Sequence, residues 1–548
     1  SAANVNISNN IFSGNSSNTA SGATTMITSS GAVGTAHTIS SNSVTGWTWN
    51  AVSSGAFTGI AASSTAAGAT LNINSNSFSG ITYASTGSGA HTYINFNHGA
   101  SVADNVNLNT FNNLNVNTTG SVTFINRGTT SMTATGSLSV SSNSIVTAFN
   151  KGLAGGTVTG FTNGGGASSP NGSTILHNLN NFSNITTTGA TAITLWSDAD
   201  GPGGGSGPTK TISNNTFNNV SNTGASQITG ITHNFSGNGT MVTANTLTNL
   251  SGGGVILALS TGTSVSGATS TVSNNTISNL TSTGGQINAL QTGFSALITT
   301  GTISGNTISN ISTTSATANP VFPLICSGFG VTTNISKNKI GNVQSTGNAL
   351  AGSVVFGILA QTSGTTYNIS NNLVGDLRLP ANGSANNLQG ISIGTLTAGT
   401  TVNLFYNTVY VNESTNAVAG FGSSALSAST TPTLVSQNNI LINKSVFNTT
   451  GLTVAFRYGT TSLATYGAAS GNNDYYAGAP SANNLIFNDG TNSDSTIGAF
   501  QTRVSPRDSA SISVDANFLS TTARPASGDA PLDANFLHID NTIATPIN

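Results

Sequence analysis

A short motif repeats along nearly the whole chain, and this repetition restricts the possible folds more than any other feature. In one copy, TVSNNTISNL, Asn275 lies two residues before Ile277 and three after Val272. The corresponding asparagines lie 30 to 37 residues apart and are Asn10, Asn42, Asn76, Asn109, Asn143, Asn180, Asn215, Asn245, Asn275, Asn306, Asn338, Asn372, Asn407, Asn438 and Asn473. A self-similar period of this length is typical of solenoids, propellers and related arrays.

Length and composition agree with one long repeat domain followed by a different closing segment. The chain has 548 residues, of which only 4% are charged and 36% are hydrophobic. The hydrophobic residues fall at fixed places in the repeat, which favours an ordered solenoid over a disordered low-complexity chain. We therefore predict β-helix repeats over residues 1–472. A charged, irregular capping segment is expected over 473–548, continuing beyond the chain end.

Within each copy the residue pattern is that of β-strands. Asn275 and Ile277 are expected to face inward, whereas Thr276 and Ser278 are expected to face outward. Bends rich in glycine and asparagine divide each repeat into three short strands. The predicted fold is an all-β parallel β-helix of about 15 coils with about 33 residues each, in which every strand pairs with its counterpart one repeat away.

One inward asparagine per coil predicts a ladder of side-chain amides. Each amide can donate to the amide oxygen in the next coil and so satisfy polar groups inside the bend. The alternative is that asparagine merely tolerates the turn conformation. We favour the ladder because the apolar residue two positions later fixes the direction in which the asparagine faces. The expected members are Asn215, Asn245, Asn275, Asn306, Asn338 and Asn372.

Charge and cysteine content exclude several kinds of partner. The net charge is −2, and no basic stripe is available for nucleic acid or for anionic lipid. No apolar run reaches the roughly 18 residues that a membrane-spanning helix needs, so membrane insertion is not expected. The single cysteine, Cys326, cannot form an internal disulfide and reads as a small buried hydrophobe. Few charges and one cysteine fit an extracellular or cell-surface protein.

Three stretches carry a resemblance to known proteins: the ISNNTF-type copies, NNDYYAGAPSANNLIFNDGTNSD at Asn472 to Asp494, and RVSPRD at Arg503 to Asp508. They resemble right-handed, pectate-lyase-like parallel β-helix regions of large secreted surface proteins of the Bacteroidetes type. In such proteins a carboxy-terminal sorting domain directs export by the type IX secretion system, but no sorting domain is recognisable here. The resemblance implies a right-handed β-helix in a surface-attached or released protein of adhesin type.

Candidate catalytic residues are few, because β-helix enzymes that cleave polysaccharides need clustered carboxylates. The best cluster is Asp198 and Asp200 in a Gly-rich segment, with His233 about one coil further on and Lys210 nearby. Hydrolysis or β-elimination is conceivable there. The simpler interpretation, which we favour, is a solvated loop with two turn-forming aspartates.

A second candidate site lies in the closing segment. Asp489, Asn492 and Asp494 in NDGTNSD have the oxygen-donor spacing of a calcium loop, although the bidentate glutamate of an EF-hand is missing. Asp198 and Asp200 have a similar spacing. Calcium is therefore the one cofactor that the sequence suggests.

The functional expectation is a non-catalytic, extracellular structural or adhesive β-helix rod. Its partners would be polysaccharides, cell-surface proteins or secretion proteins. One alternative is a polysaccharide lyase or glycoside hydrolase using Asp198 and Asp200. Another is an ice-binding protein with outward threonines, although the outward residue after the ladder asparagine varies among Thr276, Lys339 and Leu373.

Overall fold

The computed structural model confirms the predicted fold, a parallel β-solenoid of about 14 turns with about 33 residues each. The residues it describes are 2–14, 16–17, 21–163, 169–200, 207–234, 239–263, 267–294, 298–315, 319–328, 330–347, 352–362, 364–523 and 532–546. The chain divides into two compact units, Ser1–Thr271 and Val272–Asn548. In each unit, sheet A holds the strand before the ladder asparagine, sheet B the strand after it, and sheet C the third strand of the turn.

The first unit builds its three sheets from short strands. Sheet A contains Ala2–Ser8, Val33–Ser40, Thr70–Asn74, Ala103–Asn107, Ser137–Ser141, Thr174–Asn178, Thr209–Ser213, Thr240–Thr243 and Gly267–Ser273, which ends just past the unit boundary. Sheet B contains Ile11–Ser13, Ser16–Ser17, Ser43–Thr45, Thr48–Trp49, Ser77–Ser79, Thr82–Tyr83, Thr110–Asn112, Ser144–Ile145, Phe149–Lys151, Ile185–Thr187, Thr216–Asn222 and Thr246–Gly252. Sheet C contains Thr24–Ser29, Phe57–Ser64, His91–His98, Val122–Arg127, Thr157–Asn163, Ala192–Asp198, Ile228–Asn234 and Ile256–Thr263.

The second unit repeats this plan and adds a helix. Sheet A contains Ile298–Ser304, Gly330–Ser336, Thr366–Ser370, Thr401–Phe405 and Thr433–Gln437. Sheet B contains Thr276–Ser282, Thr307–Thr313, Lys339–Ser345, Leu373–Gly375, Leu377–Arg378, Thr408–Val411, Ile440–Asn443 and Asp474–Tyr476. Sheet C contains Ile287–Phe294, Val321–Ser327, Val355–Thr362, Leu388–Leu396, Ser423–Ala428, Thr453–Tyr458, Asn484–Asn488 and Ser493–Asp494, and the helix is Ile497–Val504.

The asparagine side chains form a buried ladder within each unit. In the second unit Asn306 Nδ2 donates to Asn338 Oδ1 at 2.9 Å, and Asn338 Nδ2 donates to Asn372 Oδ1 at 3.0 Å. In the first unit Asn215 Nδ2 donates to Asn245 Oδ1 at 2.9 Å. The same oxygens also accept a backbone N–H from the neighbouring coil, as Asn338 Oδ1 does from Asn306. Each amide therefore satisfies backbone as well as side-chain groups inside the bend.

One detail of the predicted coil is wrong. The ladder member near the end is Asn439, to which Asn407 donates at 2.9 Å. Asn438 instead has a φ of 55° and occupies the bend just before it, because two adjacent asparagines compete for the motif position. Ser278 is buried, but it lies in the same outward column of sheet B as Ser309. The positive φ of the next residue, Asn279, interrupts the strand alternation there.

The end of the ladder is closed by an aspartate. Asn473 Nδ2 donates to Asp508 Oδ1 at 3.1 Å, and the Ser511 hydroxyl donates to the same oxygen at 2.6 Å. The Tyr466 hydroxyl donates to Asp508 Oδ2. A carboxylate only accepts hydrogen bonds, so Asp508 is a suitable partner for the side-chain N–H of Asn473, the last amide of the ladder.

The chain after the helix crosses the outer face of sheet B in the second unit. We call residues 516–523 and 532–539 the C-terminal strap. Ala523, Phe536 and Leu537 of the strap form a buried cluster with Tyr410 and Ile442 of sheet B. These outward positions of the sheet are apolar here, whereas the corresponding position in an earlier coil is Ser309.

Candidate functional site

Asp198 and Asp200 lie inside the solenoid of the first unit, so their prediction as part of a solvated loop is wrong. Both carboxylates are fully buried. Asp198 is the last residue of its sheet C strand and stands in an inward column of neighbouring strand ends, with Asn163 before it and His233 after it. Strand alternation continues inward from Trp196 to Asp198, and this was the signal available in the sequence.

Asp198 is surrounded by donors from both sides. Its Oδ1 atom accepts from Asn163 Nδ2 at 3.0 Å and from Lys210 Nζ at 3.3 Å, and its Oδ2 atom lies 2.9 Å from His177 Nε2. Burial pushes the pKa of the Asp198 carboxyl up, but Lys210 and His177 outweigh this effect and hold it well below its usual range. The Asp198 carboxyl is therefore ionised in the interior while these donors surround it.

Asp200 is held in the same network through Arg127. Arg127 Nη1 donates to Asp200 Oδ2 at 3.1 Å and to Asn163 Oδ1 at 3.2 Å. The Ser169 hydroxyl and backbone N–H donate to the two carboxylate oxygens of Asp200 at 2.6 and 2.9 Å. Asp198 also accepts from the Asp200 N–H at 2.9 Å, so all four carboxylate oxygens of the two aspartates are engaged by neighbouring polar groups.

The network continues to a carboxyl group whose charged form is disfavoured. Asp104 accepts from the Ser101 hydroxyl at 3.0 Å and lies 3.9 Å from Arg127 Nε. Burial raises the pKa of Asp104 to about 6, although Arg127 and Ser101 oppose the shift. His98, 3.8 Å from Asp104, has its pKa lowered to about 4 by burial and by the nearby His37.

These positions do not suit cleavage of a polysaccharide. His233 is 2% exposed, and Asp198 and Asp200 show no exposed surface. A carboxylate that performs acid–base chemistry on a glycan must lie within hydrogen-bond reach of the scissile oxygen. A polymer outside the solenoid cannot reach them in this arrangement.

The calcium candidates are bonded to protein groups. Asp489 accepts from the N–H groups of Thr491 and Asn492 at 3.0 and 2.6 Å, and from the Asn492 side chain at 2.8 Å. Asp494 receives two hydrogen bonds from Arg503, at 2.5 and 2.8 Å. Within the described parts of the chain, no group of three or more His, Cys, Asp or Glu could hold a metal ion. The loop thus has a structural explanation that needs no cation.

A polar cleft opens on the outer face of sheet C in the second unit. It encloses about 430 Å³. An outward column of stacked residues crosses it, formed by Ser392, Ser427, Arg457 and Asn488 on successive strands. Hydrogen-bonding side chains on a concave, preformed surface are the groups that recognise hydroxyl-rich ligands. This column was not predicted from the sequence, where its signal was the outward position of Arg457 in TVAFRY.

Arg457 is fixed at the centre of the cleft. Its Nε donates to the Ser424 hydroxyl at 3.1 Å, and its Nη1 donates to Asn488 Oδ1 at 3.1 Å. Burial lowers the pKa of the Arg457 guanidinium to about 10, so it stays protonated at neutral pH while lacking part of its hydration. An anionic group entering the cleft would regain that lost solvation.

The cleft floor contains an acceptor with no partner. Gln389 is 6% exposed, and its Nε2 donates to the Asn386 carbonyl at 2.7 Å. Its Oε1 has no hydrogen-bond partner among the described residues. A buried acceptor left unsatisfied costs about 1 to 3 kcal/mol, so a donor brought by a ligand would be favoured there.

Comparison with known proteins gives no relative. No family model, curated protein or solved structure matches the chain. Among the described residues, no helix is both long and apolar enough to cross a membrane.

Proposed function

We propose that the protein is a non-catalytic, extracellular or cell-surface β-helix that binds acidic polysaccharides through the cleft around Arg457. The observation that supports this proposal is a half-buried, positioned guanidinium in a column of hydroxyl and amide side chains. A guanidinium recognises carboxylates and sulfates, while Ser392 and Ser427 can bond to sugar hydroxyls. Surface or secretion proteins remain further candidate partners.

Binding to polygalacturonate, with an uncharged β-glucan for comparison, tests the proposal. The wild-type protein should bind polygalacturonate more tightly than the neutral polymer, and salt should weaken that binding. Arg457→Ala should weaken binding about tenfold or more, because charge-assisted hydrogen bonds contribute about 1.5 to 3 kcal/mol. Isothermal calorimetry measures both effects.

Lys337→Asn is the matched control. It removes one positive charge from an exposed bend outside the cleft, and asparagine suits the positive φ of 57° there. Equal binding by wild type and Arg457→Ala, or no binding to either polymer, would refute the proposal. Shortening of the polymer during the assay would instead favour the lyase or hydrolase alternative.

A further inference from the structure

The interior of the first unit brings an amine and an amide to the same carboxylate. Lys210 Nζ and Asn163 Nδ2 approach the same oxygen, Asp198 Oδ1, at 3.3 and 3.0 Å. All three side chains are buried. Lys210 comes from sheet A, whereas Asn163 and Asp198 come from neighbouring strands of sheet C. Two strands therefore bring donors to one carboxylate oxygen of a third strand.

The amide of Asn163 is polarised from its other end. Arg127 Nη1 donates to Asn163 Oδ1 at 3.2 Å. If a nucleophile adds to Asn163 Cγ, negative charge develops on Oδ1, which the guanidinium already contacts. A positioned donor at that oxygen stabilises a tetrahedral intermediate of acyl transfer.

Aromatic rings separate this cluster from water. Phe161 stacks on Trp196 with ring centroids 4.7 Å apart, and His177 lies 4.8 and 5.3 Å from these two rings. Removal of water protects the amide from competing hydrolysis and strengthens the electrostatic interactions inside the cluster.

We propose that Lys210 and Asn163 form an intramolecular isopeptide bond, with Asp198 as the proton relay and Arg127 as the oxyanion stabiliser. Lys210 Nζ passes a proton to Asp198 and attacks Asn163 Cγ, which forms a C–N bond and moves the carbonyl π electrons to Oδ1. Asp198 returns that proton to Nδ2 and then takes a second proton from Nζ. The Cγ–Nδ2 bond breaks as the carbonyl re-forms, and the departing ammonia leaves with the second proton as ammonium.

The bond would join sheet C to sheet A covalently. It would link the strands Thr157–Asn163 and Thr209–Ser213. The only cysteine, Cys326, is buried and cannot form a disulfide within the chain. A cross-link between side chains would therefore give a nearly cysteine-free protein a covalent constraint of the kind that disulfides supply elsewhere. Neither Lys210 nor Asn163 lines the cleft around Arg457.

Intact-mass spectrometry of the full-length purified protein is the direct test. The wild type should be lighter than its sequence by one ammonia molecule. After proteolysis, a branched peptide should contain both Asn163 and Lys210. Succinimide formation at Asn163–Gly164 also releases ammonia, so the branched peptide is the decisive observation. A wild-type protein at the full sequence mass, or a loss of water with the branch on Asp198, would overturn the proposal.

Variants identify the roles of the residues. Lys210→Arg keeps the positive charge but removes the amine nucleophile, so it should have the full sequence mass and no branched peptide. Asp198→Asn should show the same loss of cross-linking, because it removes the proton relay. Lys151→Arg is the matched control, since buried Lys151 donates to the carbonyls of Leu153 and Gly155 instead. It should keep the ammonia loss and the branched peptide, and persistence of the branch in Asp198→Asn would overturn the assigned relay.

Discussion

At the scale of single residues, the first unit holds buried ionisable groups among a largely apolar core. Arg127 reaches Asp200, Asn163 and Asp104 from one position. Removing one partner of such a network leaves the remaining charges buried without a counter-charge. This destabilises the fold more than replacing the whole network with apolar side chains would. Because Asp104 titrates with a raised pKa, its effect on folding stability can be measured as a function of pH.

Stability should depend on pH through Asp104. Its pKa of about 6 lies above the unfolded value of 3.8, so folding favours the protonated carboxyl. That contribution is present below pH 3.8 and is lost as the pH rises through about 6. The stability of Asp104→Asn relative to wild type should therefore rise between pH 4 and 7, by up to about 3 kcal/mol. Urea unfolding of both proteins at several pH values gives this difference.

Wild type must be compared with Asp104→Asn because the buried histidines change the folding stability with pH in the opposite direction to Asp104. Burial lowers the pKa of His91 to about 3 and, together with His37, that of His98 to about 4. Their contributions are lost as the pH falls below the unfolded value of 6.5, and they appear in both proteins. A difference between wild type and Asp104→Asn that stays constant over this range would contradict the prediction.

At the scale of the coil, the amide ladder and the apolar column beside it define the turn. The sequence predicted this element because one asparagine and one apolar residue keep a constant spacing in every copy. It did not predict a second, partly exposed row four residues later, in which Asn342 Nδ2 donates to Asn310 Oδ1 at 3.0 Å. Both asparagines have a positive φ, a backbone conformation that the spacing alone does not reveal.

Replacing a buried ladder amide should destabilise the second unit strongly. Asn306 donates to Val272 O and to Asn338 Oδ1, and it accepts the backbone and side-chain N–H groups of Asn275. Asn306→Ala leaves these groups buried without partners, and each costs about 1 to 3 kcal/mol. We expect a loss of about 3 kcal/mol or more, measured as a lower midpoint of urea unfolding.

The surface row supplies the control for this experiment. Asn310 lies in the same coil but is half-exposed, and Asn310→Gly keeps the positive φ of 55° that the bend requires. Water replaces its lost hydrogen bonds, so the change should stay below about 1 kcal/mol. Equal losses in Asn306→Ala and Asn310→Gly would show that burial of the ladder contributes nothing.

At the scale of the whole chain, the structural features that recur in every coil could be predicted from the sequence. The features that occur in only one place could not. The repeat period predicted the solenoid because every coil has the same residue pattern. The cluster around Asp198 depends on which strand ends meet inside a particular coil. The column through Arg457 depends on the register of neighbouring strands. The C-terminal strap depends on contacts such as Ala523 N–H to Asp376 Oδ2 at 3.1 Å, which join positions far apart in the sequence.

Phe536 should decide whether the C-terminal strap stays on the outer face of sheet B. Its ring is buried in the cluster with Tyr410 and lies beside Gly341, where a larger side chain would meet it. Phe536→Ala removes a buried aromatic ring, a change that costs about 3 to 5 kcal/mol in a packed core. Because the strap packs on the outside of the coils, we expect the loss to appear locally, as faster amide hydrogen exchange in residues 516–523 and 532–539.

Leu519→Ala is the control within the strap itself. Leu519 is 52% exposed, so its truncation should change exchange by less than the equivalent of about 0.5 kcal/mol. Ladder amides such as the N–H of Asn306 should keep their protection in both variants, because they lie inside the coils.

If Phe536→Ala leaves the strap as protected as in the wild type, its anchoring must come from the backbone pairing of Leu519 with His538 and from the Ala523–Asp376 bond. If ladder protection falls together with strap protection, the strap and the coils of this unit unfold as one cooperative element.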